Sequence, residues 1–239
     1  MYALLLFLLD PVRVKDRIRH GVRRMRSHSI GGENMLTKLV GWLRQNAVAV
    51  LLSVAFIAVY IVKEIRPEIN DLLGACSLRF INGEYYRWFT CSFLHYGLYH
   101  LLGNIIGLLA VGSLLSPLIG KWKTLFFFFV SDFFGGITFS WIVSSAEPSY
   151  GGGASGGIFA LIAALVVCYL RFPEQFRFKW YRPDVLITIV YFIIANDNWS
   201  SVLTHMFGFA YGIVLAFVFV VFGLIREPFG ETKNENEGL

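Results

Sequence analysis

Apolar residues gather into six long runs, at about residues 46–62, 97–119, 122–144, 155–170, 185–196 and 200–224, separated by shorter polar stretches. Most of these runs approach the roughly 17–25 residues that a helix needs to span hydrocarbon, and the fifth is the shortest. Ahead of them, Met35 to Leu43 carries Leu36, Leu39, Val40 and Leu43 at helical spacing, with Lys38 and Arg44 on other faces. That pattern predicts a helix lying in the membrane interface. The connection between the first two runs is amphipathic rather than polar (Leu72, Leu73, Phe80, Ile81, Tyr85, Tyr86, Trp88, Phe89), so it too is expected at the interface. The resulting expectation is an all-α, polytopic membrane protein: a basic cytosolic arm with its interfacial helix over 1–45, six transmembrane helices over 46–225, and a polar tail over 226–239.

Composition agrees. Only 15% of the 239 residues are charged and 56% are hydrophobic, whereas soluble domains carry about 25% charged residues. The net charge of +5 does not call for a nucleic-acid partner, because the basic residues follow membrane topology. With the N-terminus inside, the outer segments hold only Lys63, Arg66, Arg79 and Arg87 of the 21 Lys and Arg. Both termini are therefore expected in the cytosol. The arm, with Arg13, Lys15, Arg17, Arg19, Arg23, Arg24 and Arg26, is expected to lie free or on anionic lipid. The apolar run Tyr2 to Leu9 is too short to span and lacks a preceding basic region, so it does not read as a signal peptide. It reads as a surface anchor or as sequence upstream of a start at Met25 or Met35. Three cysteines give no metal spacing; Cys76 and Cys91 share a loop and could pair if oxidised, but free thiols are the favoured reading.

Polar residues inside spans carry the candidate chemistry. Ser155 opens the fourth run at the end of a glycine-dense loop, Tyr150-Gly151-Gly152-Gly153-Ala154-Ser155-Gly156-Gly157. Small neighbours leave its hydroxyl approachable, and helix N-terminal amides can face a developing oxyanion. Alone, such a serine is more simply a helix cap. His100 and Asn104 share one face of the second helix, and His205 lies near the start of the sixth. The second, fourth and sixth helices all run outside to inside, so these four residues fall on the outer side together. From Leu170 at the inner edge back to Ser155, the helix rises about 22 Å. In a core roughly 30 Å thick, Ser155 then sits about 8 Å below the outer boundary. Irregular backbone at that depth must be buried in protein or line a wet cavity, so a recessed aqueous cavity is expected. A weakly nucleophilic hydroxyl needs a base, and His205 is the candidate; the Ser155 N–H, the Asn104 amide and the His100 ring could face the oxyanion. No carboxylate is well positioned to orient the base, which makes this a Ser–His dyad.

These residues bring a family into view. Tyr86-Arg87, His95 to His100 to Asn104, Gly153-Ala154-Ser155-Gly156 and His205-Met206-Phe207-Gly208 stand in the order of the rhomboid intramembrane serine proteases, and the chain resembles that family over roughly residues 46–225. The resemblance implies a six-transmembrane-helix rhomboid-like bundle with an interfacial loop between the first two helices. It implies an intramembrane serine endopeptidase that cleaves transmembrane segments near the outer face, with Ser155 as nucleophile and His205 as base. His100, Asn104 and the Ser155 N–H would form the oxyanion hole. Phe159 matches an aromatic position, often Tyr, that stacks on the catalytic histidine. Gly153 and Gly156 belong to the serine motif, and Gly208 with Gly212 would allow close packing of the sixth helix on the fourth. The family's usual loop Trp-Arg reads Tyr86-Arg87 here. Six spans without a seventh point, by the same resemblance, to a bacterial cell membrane.

Two polar residues fall outside that scheme or at its edge. His95 is expected to make a structural hydrogen bond before the second helix. Asp132, in the middle of the third run, is an intramembrane carboxylate outside the family pattern; a protonated or hydrogen-bonded structural role is favoured over a proton pathway. The expected partners are transmembrane protein substrates and the lipid bilayer, with no nucleic acid or nucleotide. No cofactor and no metal are expected, since the chain has neither a ligand cluster nor a phosphate loop with its lysine. The rival readings are a catalytically inactive relative that binds membrane proteins, and a small transporter or channel using Asp132 and the histidines. The lack of internal repeats weighs against the latter.

Overall fold

A computed structural model of the chain describes residues 35–75, 83–142, 151–173, 182–195 and 199–225. The arm over 1–34, the tail over 226–239, Cys76, Phe80 and Ile81 lie outside the described residues. Among the described residues the elements are helical: α1 (Met35–Gln45), α2 (Ala47–Ile65), α3 (Ile69–Leu73), α4 (Arg87–Thr90) followed by a single 3-10 turn (Cys91–Phe93), α5 (Leu98–Ile119), α6 (Lys121–Ile142), α7 (Ser155–Arg171), α8 (Pro183–Ile194) and α9 (Trp199–Val221). The six apolar runs thus correspond to α2 and α5 through α9. Helices α2, α5 and the Ser201–Val221 stretch of α9 are each long and apolar enough to cross a membrane, while α7 and α8 are shorter apolar helices. Helix α6 is as long as α5 but carries Lys121 and Lys123 in its first turn and Asp132 within it.

Helix ends follow local chemistry. Pro183 occupies the first turn of α8, where its missing N–H has no intrahelical partner to lose. Helix α5 stops at Gly120, whose φ of 87° suits glycine. On α2, Val48, Leu52 and Phe56 are buried along one stripe, while Leu51, Val54, Ile57 and Ile61 are exposed. In a bilayer this exposed apolar face meets lipid. Helix α7 differs: Gly156 through Leu165 are all buried, the pattern of a helix surrounded by protein. It packs against α5, α6 and α9, whereas α8 rests chiefly on α5.

Close approach of α7 and α9 depends on glycine. A Cβ at Gly212 would lie 2.6 Å from Ala160 Cα, and one at Gly208 would fall 3.0 Å from Gly156 Cα. The expectation of internal packing for this pair of glycines therefore holds. On the other side, α6 sends Phe127 and Phe128 fully into the core while Phe126 stays exposed.

The loop between α2 and α5 is held by Arg87. Its guanidinium, buried, donates to the carbonyls of Asp71 and Gly74 (2.9 Å for the latter) and pairs with the Glu84 carboxylate at 2.7 Å. Thr90 Oγ1 adds a bond to the Leu73 carbonyl at 2.9 Å. The aromatic content of this loop divides in two. Tyr85, Tyr86 and Phe89 are exposed as an interfacial loop requires, but Trp88 is buried. Its indole meets Phe133 edge-on at 5.9 Å, so it belongs to the bundle rather than to the interface.

Candidate active site

The glycine-rich loop descends to Ser155 along the interfacial loop. Gly151 and Ala75 exchange backbone hydrogen bonds of 2.9 and 2.8 Å, and the Gly153 N–H donates to the Cys91 carbonyl at 3.0 Å. A side chain at Gly152 would strike Leu94 Cβ at 2.8 Å. Gly153 has φ of 145°, a conformation that L side chains rarely adopt. Its Cβ would also lie 2.9 Å from His100 Cε1 and Nε2 and 3.8 Å from Ser155 Oγ. The absence of that atom therefore leaves the His100 ring and the Ser155 hydroxyl bordering one small space.

Ser155 is the first residue of α7, and the cap position is Ala154, which has no side-chain oxygen. Ser155 thus stands one residue inside the helix rather than at its N-cap. Phe159, one turn on, is buried and stacks face to face on the His205 ring, with centroids 4.2 Å apart and planes 7° apart. His205 itself is only 3% exposed. On α9 it stands three residues before Gly208, whose close contact with Gly156 locks the two helices in register. Ser155, Phe159 and His205 therefore share one face of the α7–α9 seam.

Helix α5 supplies the other wall. His100 and Asn104 project from one face, and the Asn104 Nδ2 donates to the His100 carbonyl at 2.8 Å. Its Oδ1 accepts a hydrogen bond of 3.1 Å from the Tyr191 hydroxyl of α8. Tyr191 thereby fixes which way the Asn104 amide points and leaves one N–H of that amide to face elsewhere. The sequence reading missed Tyr191, because a tyrosine counts as apolar in a hydrophobic run; its hydroxyl in a span was the available signal. His95 is fully buried beneath this wall, with its ring edge-on to His100 at 5.1 Å and its Nδ1 3.3 Å from the Phe93 carbonyl. Burial, with the neighbouring His100 second, lowers its pKa to about 4.

Asp132 is placed as well. Its carboxylate accepts hydrogen bonds from the Ser92 hydroxyl and from the backbone N–H of Gly157. Partners that the sequence did not disclose thus give substance to the hydrogen-bonded role.

Comparison with known proteins decides the family. Residues 82–222 match the rhomboid domain. The chain belongs to the rhomboid family. RHOMBOID-like protein 1 of Arabidopsis thaliana is 31% identical over 162 residues, covering 64% of this chain and 38% of that protein. The rhomboid protease GlpG of Pectobacterium atrosepticum is 27% identical over 138 residues, 56% of this chain and 48% of its own length. Inactive rhomboid protein 2 of Homo sapiens is 28% identical over 161 residues, 64% of this chain and 18% of its own. The chain thus spans less than two thirds of the length of these relatives. This rhomboid is an integral membrane protein, in a family whose members include both proteases and a protein named inactive. Its relatives come from plants, animals and bacteria, so the bacterial membrane suggested by six spans finds no support.

Other features of this rhomboid lie away from Ser155. A cleft lined by Trp42, Ser113, Arg182 and Asp184, and another lined by Ala47, Lys121 and Trp122, sit at the opposite end of the bundle, where α6 begins. Cys168, toward the far end of α7, is a free thiol, as is Cys91 beside the glycine-rich loop.

Proposed function

We propose that this rhomboid is an active intramembrane serine endopeptidase with Ser155 as nucleophile and His205 as general base. The observation that carries the reading is the Phe159–His205 stack one turn beyond Ser155. It sets the His205 ring against the helix turn that follows Ser155, and the cap position of that helix falls on Ala154 rather than on Ser155. The presence of both groups favours activity over the inactive role named for the human relative.

The steps follow from these groups. His205 takes the Ser155 proton as Oγ bonds to the scissile carbonyl carbon. The resulting oxyanion meets the Ser155 N–H, the free N–H of the Asn104 amide and the His100 ring, with Tyr191 keeping the amide oriented. Collapse breaks the C–N bond, and the imidazolium returns the proton to the departing amine. Water then gives its proton to His205 and attacks the acyl ester, and Ser155 recovers its proton as the acid leaves. The imidazolium is balanced by no carboxylate in this scheme, so the machinery is a dyad. Water is the only co-reactant the steps require.

With both termini cytosolic, the site opens to the outer side and water enters from there. A transmembrane helix hides its carbonyls in i→i−4 bonds, so substrates are membrane proteins whose helices unwind near the outer face at Gly, Pro or other weak helix formers. The catalytic unit is the membrane domain over 46–225, flanked by the basic arm over 1–45 and the polar tail over 226–239.

Cleavage of a labelled transmembrane substrate by the detergent-solubilised protein, beside Ser155→Ala and His205→Ala, tests the proposal. Wild type cleaves and both variants lose cleavage. Undiminished cleavage by either variant removes the dyad, and absence of cleavage by wild type, with no reaction at Ser155 toward a fluorophosphonate, favours the inactive reading.

A further inference from the structure

Among the described residues, Asp132 is a buried carboxylate that the steps above do not use. It is 8% exposed at mid-helix in α6. Its Oδ2 accepts from the Ser92 hydroxyl in the 3-10 turn, and the carboxylate also accepts from the Gly157 N–H at the start of α7. The first N–H groups of a helix lack intrahelical partners, and an acceptor from the preceding residue normally serves them. Here that preceding residue is Ala154, with nothing to offer.

We propose that Asp132 is the positioning residue of the active site, capping α7 from a neighbouring helix and tying it to the interfacial loop. The proposal rests on Ser155 being the nucleophile. Only Gly156 separates Ser155 from the capped Gly157, so the carboxylate sets the height and tilt of the turn that presents the hydroxyl. Gly156 is fitted to this arrangement on both sides. A Cβ there would collide with Asp132 Oδ1 and come within 3.6 Å of Thr204 Cγ2, while its backbone receives Gly208 of α9. The same carboxylate reaches Ser92, one residue from Cys91, whose carbonyl holds Gly153. One side chain thus fixes both the helix that follows Ser155 and the turn that anchors the loop before it. Two oxygen acceptors, rather than a charge, are what these contacts require.

Three variants of the full chain test this: Asp132→Leu, which removes the acceptors; Asp132→Asn, which keeps an oxygen for the Gly157 N–H; and Ser92→Ala. The readouts are the rate of fluorophosphonate labelling at Ser155, and kcat and KM on a transmembrane substrate. Small displacements of a reacting group are costly, so Asp132→Leu is expected to lower the labelling rate and kcat at least about tenfold with KM within about twofold. Asp132→Asn is expected to restore both to within about threefold of wild type, and Ser92→Ala to fall between, since it frees the acceptor without removing it. Labelling of Asp132→Leu at the wild-type rate overturns the positioning role, as does an Asp132→Asn protein as slow as Asp132→Leu. Where Asp132→Leu does not fold, wild-type rates in Ser92→Ala, or failure of Asp132→Asn to react, overturn it equally. A wild-type protein that is not labelled at Ser155 sinks the nucleophile reading itself, and the positioning role with it.

Discussion

Phe159 and His205 stack with their rings 4.2 Å apart and 7° from parallel, although they belong to different helices. A stack of this kind removes the rotational freedom of an imidazole without using either of its nitrogens. It is contributed by the residue one turn after Ser155, so the helix that carries the hydroxyl also orients the ring.

Loss of the stack should slow chemistry more than binding. Aromatic pairs contribute about 0.5–1.5 kcal/mol beyond burial, so Phe159→Leu is expected to lower kcat about two- to tenfold. Phe159→Tyr retains the ring and is expected to remain near wild type. Steady-state kinetics on one substrate separates the two, and equal kcat values for Leu and Phe at this position would refute the orienting role.

Tyr191→Phe tests the support behind Asn104. The change keeps the packing beneath Gly107 but leaves Asn104 Oδ1 without its 3.1 Å partner. Leaving a buried acceptor unpaired costs about 1–3 kcal/mol. If part of that appears only when the oxyanion forms, kcat falls while KM holds; a change confined to thermal stability would assign Tyr191 to packing alone.

Gly212→Ala should destabilise the bundle. The new methyl would lie 2.6 Å from Ala160 Cα and 2.9 Å from the Ala163 Cβ. Backbone cannot yield cheaply, and overpacking of this kind costs about 1–3 kcal/mol. Thermal unfolding in one detergent reads the effect, and an unchanged midpoint would contradict the close α7–α9 contact.

Arg87→Lys should fail to replace Arg87. One ammonium cannot serve the Glu84 carboxylate and the two carbonyls of Asp71 and Gly74 that the guanidinium fork spans. Hydrogen bonds to charged groups are worth about 1.5–3 kcal/mol, so the midpoint drops for Lys and further for Ala. Near-wild-type stability of the lysine variant would mean that the fork is dispensable.

His95 gives stability a pH dependence of known sign. Its pKa falls from 6.5 in the open chain to about 4 in the fold, chiefly through burial and next through His100. The unfolded chain therefore binds the proton more readily between those values. The stabilising contribution is complete above pH 6.5 and is lost as pH falls toward 4, with a slope of at most about 1.4 kcal/mol per unit. His95→Gln should flatten this limb of the curve. An identical acid limb in the two would show that His95 is not the group responsible.

Much of this protein was legible along the chain, because hydrocarbon imposes a linear rule. Apolar length, basic residues on one side and glycine before Ser155 are local patterns, and each helix limit read from them lies within about three residues of the observed one. The order of His100, Asn104, Ser155 and His205 was equally visible, and helix direction alone brought them to one side. Other features were decided by packing, since they depend on which surfaces face each other. Asp132 had no visible partner until α6, the loop at Ser92 and the start of α7 met. Tyr191 counted as one more apolar residue until its hydroxyl reached Asn104 across the α5–α8 contact. Trp88 read as an interfacial aromatic until the bundle enclosed it. Sequence periodicity reports how a residue sits relative to its own helix axis. Which neighbour satisfies a hydrogen bond is set by the rotation and depth of several helices together, and only their packing determines that.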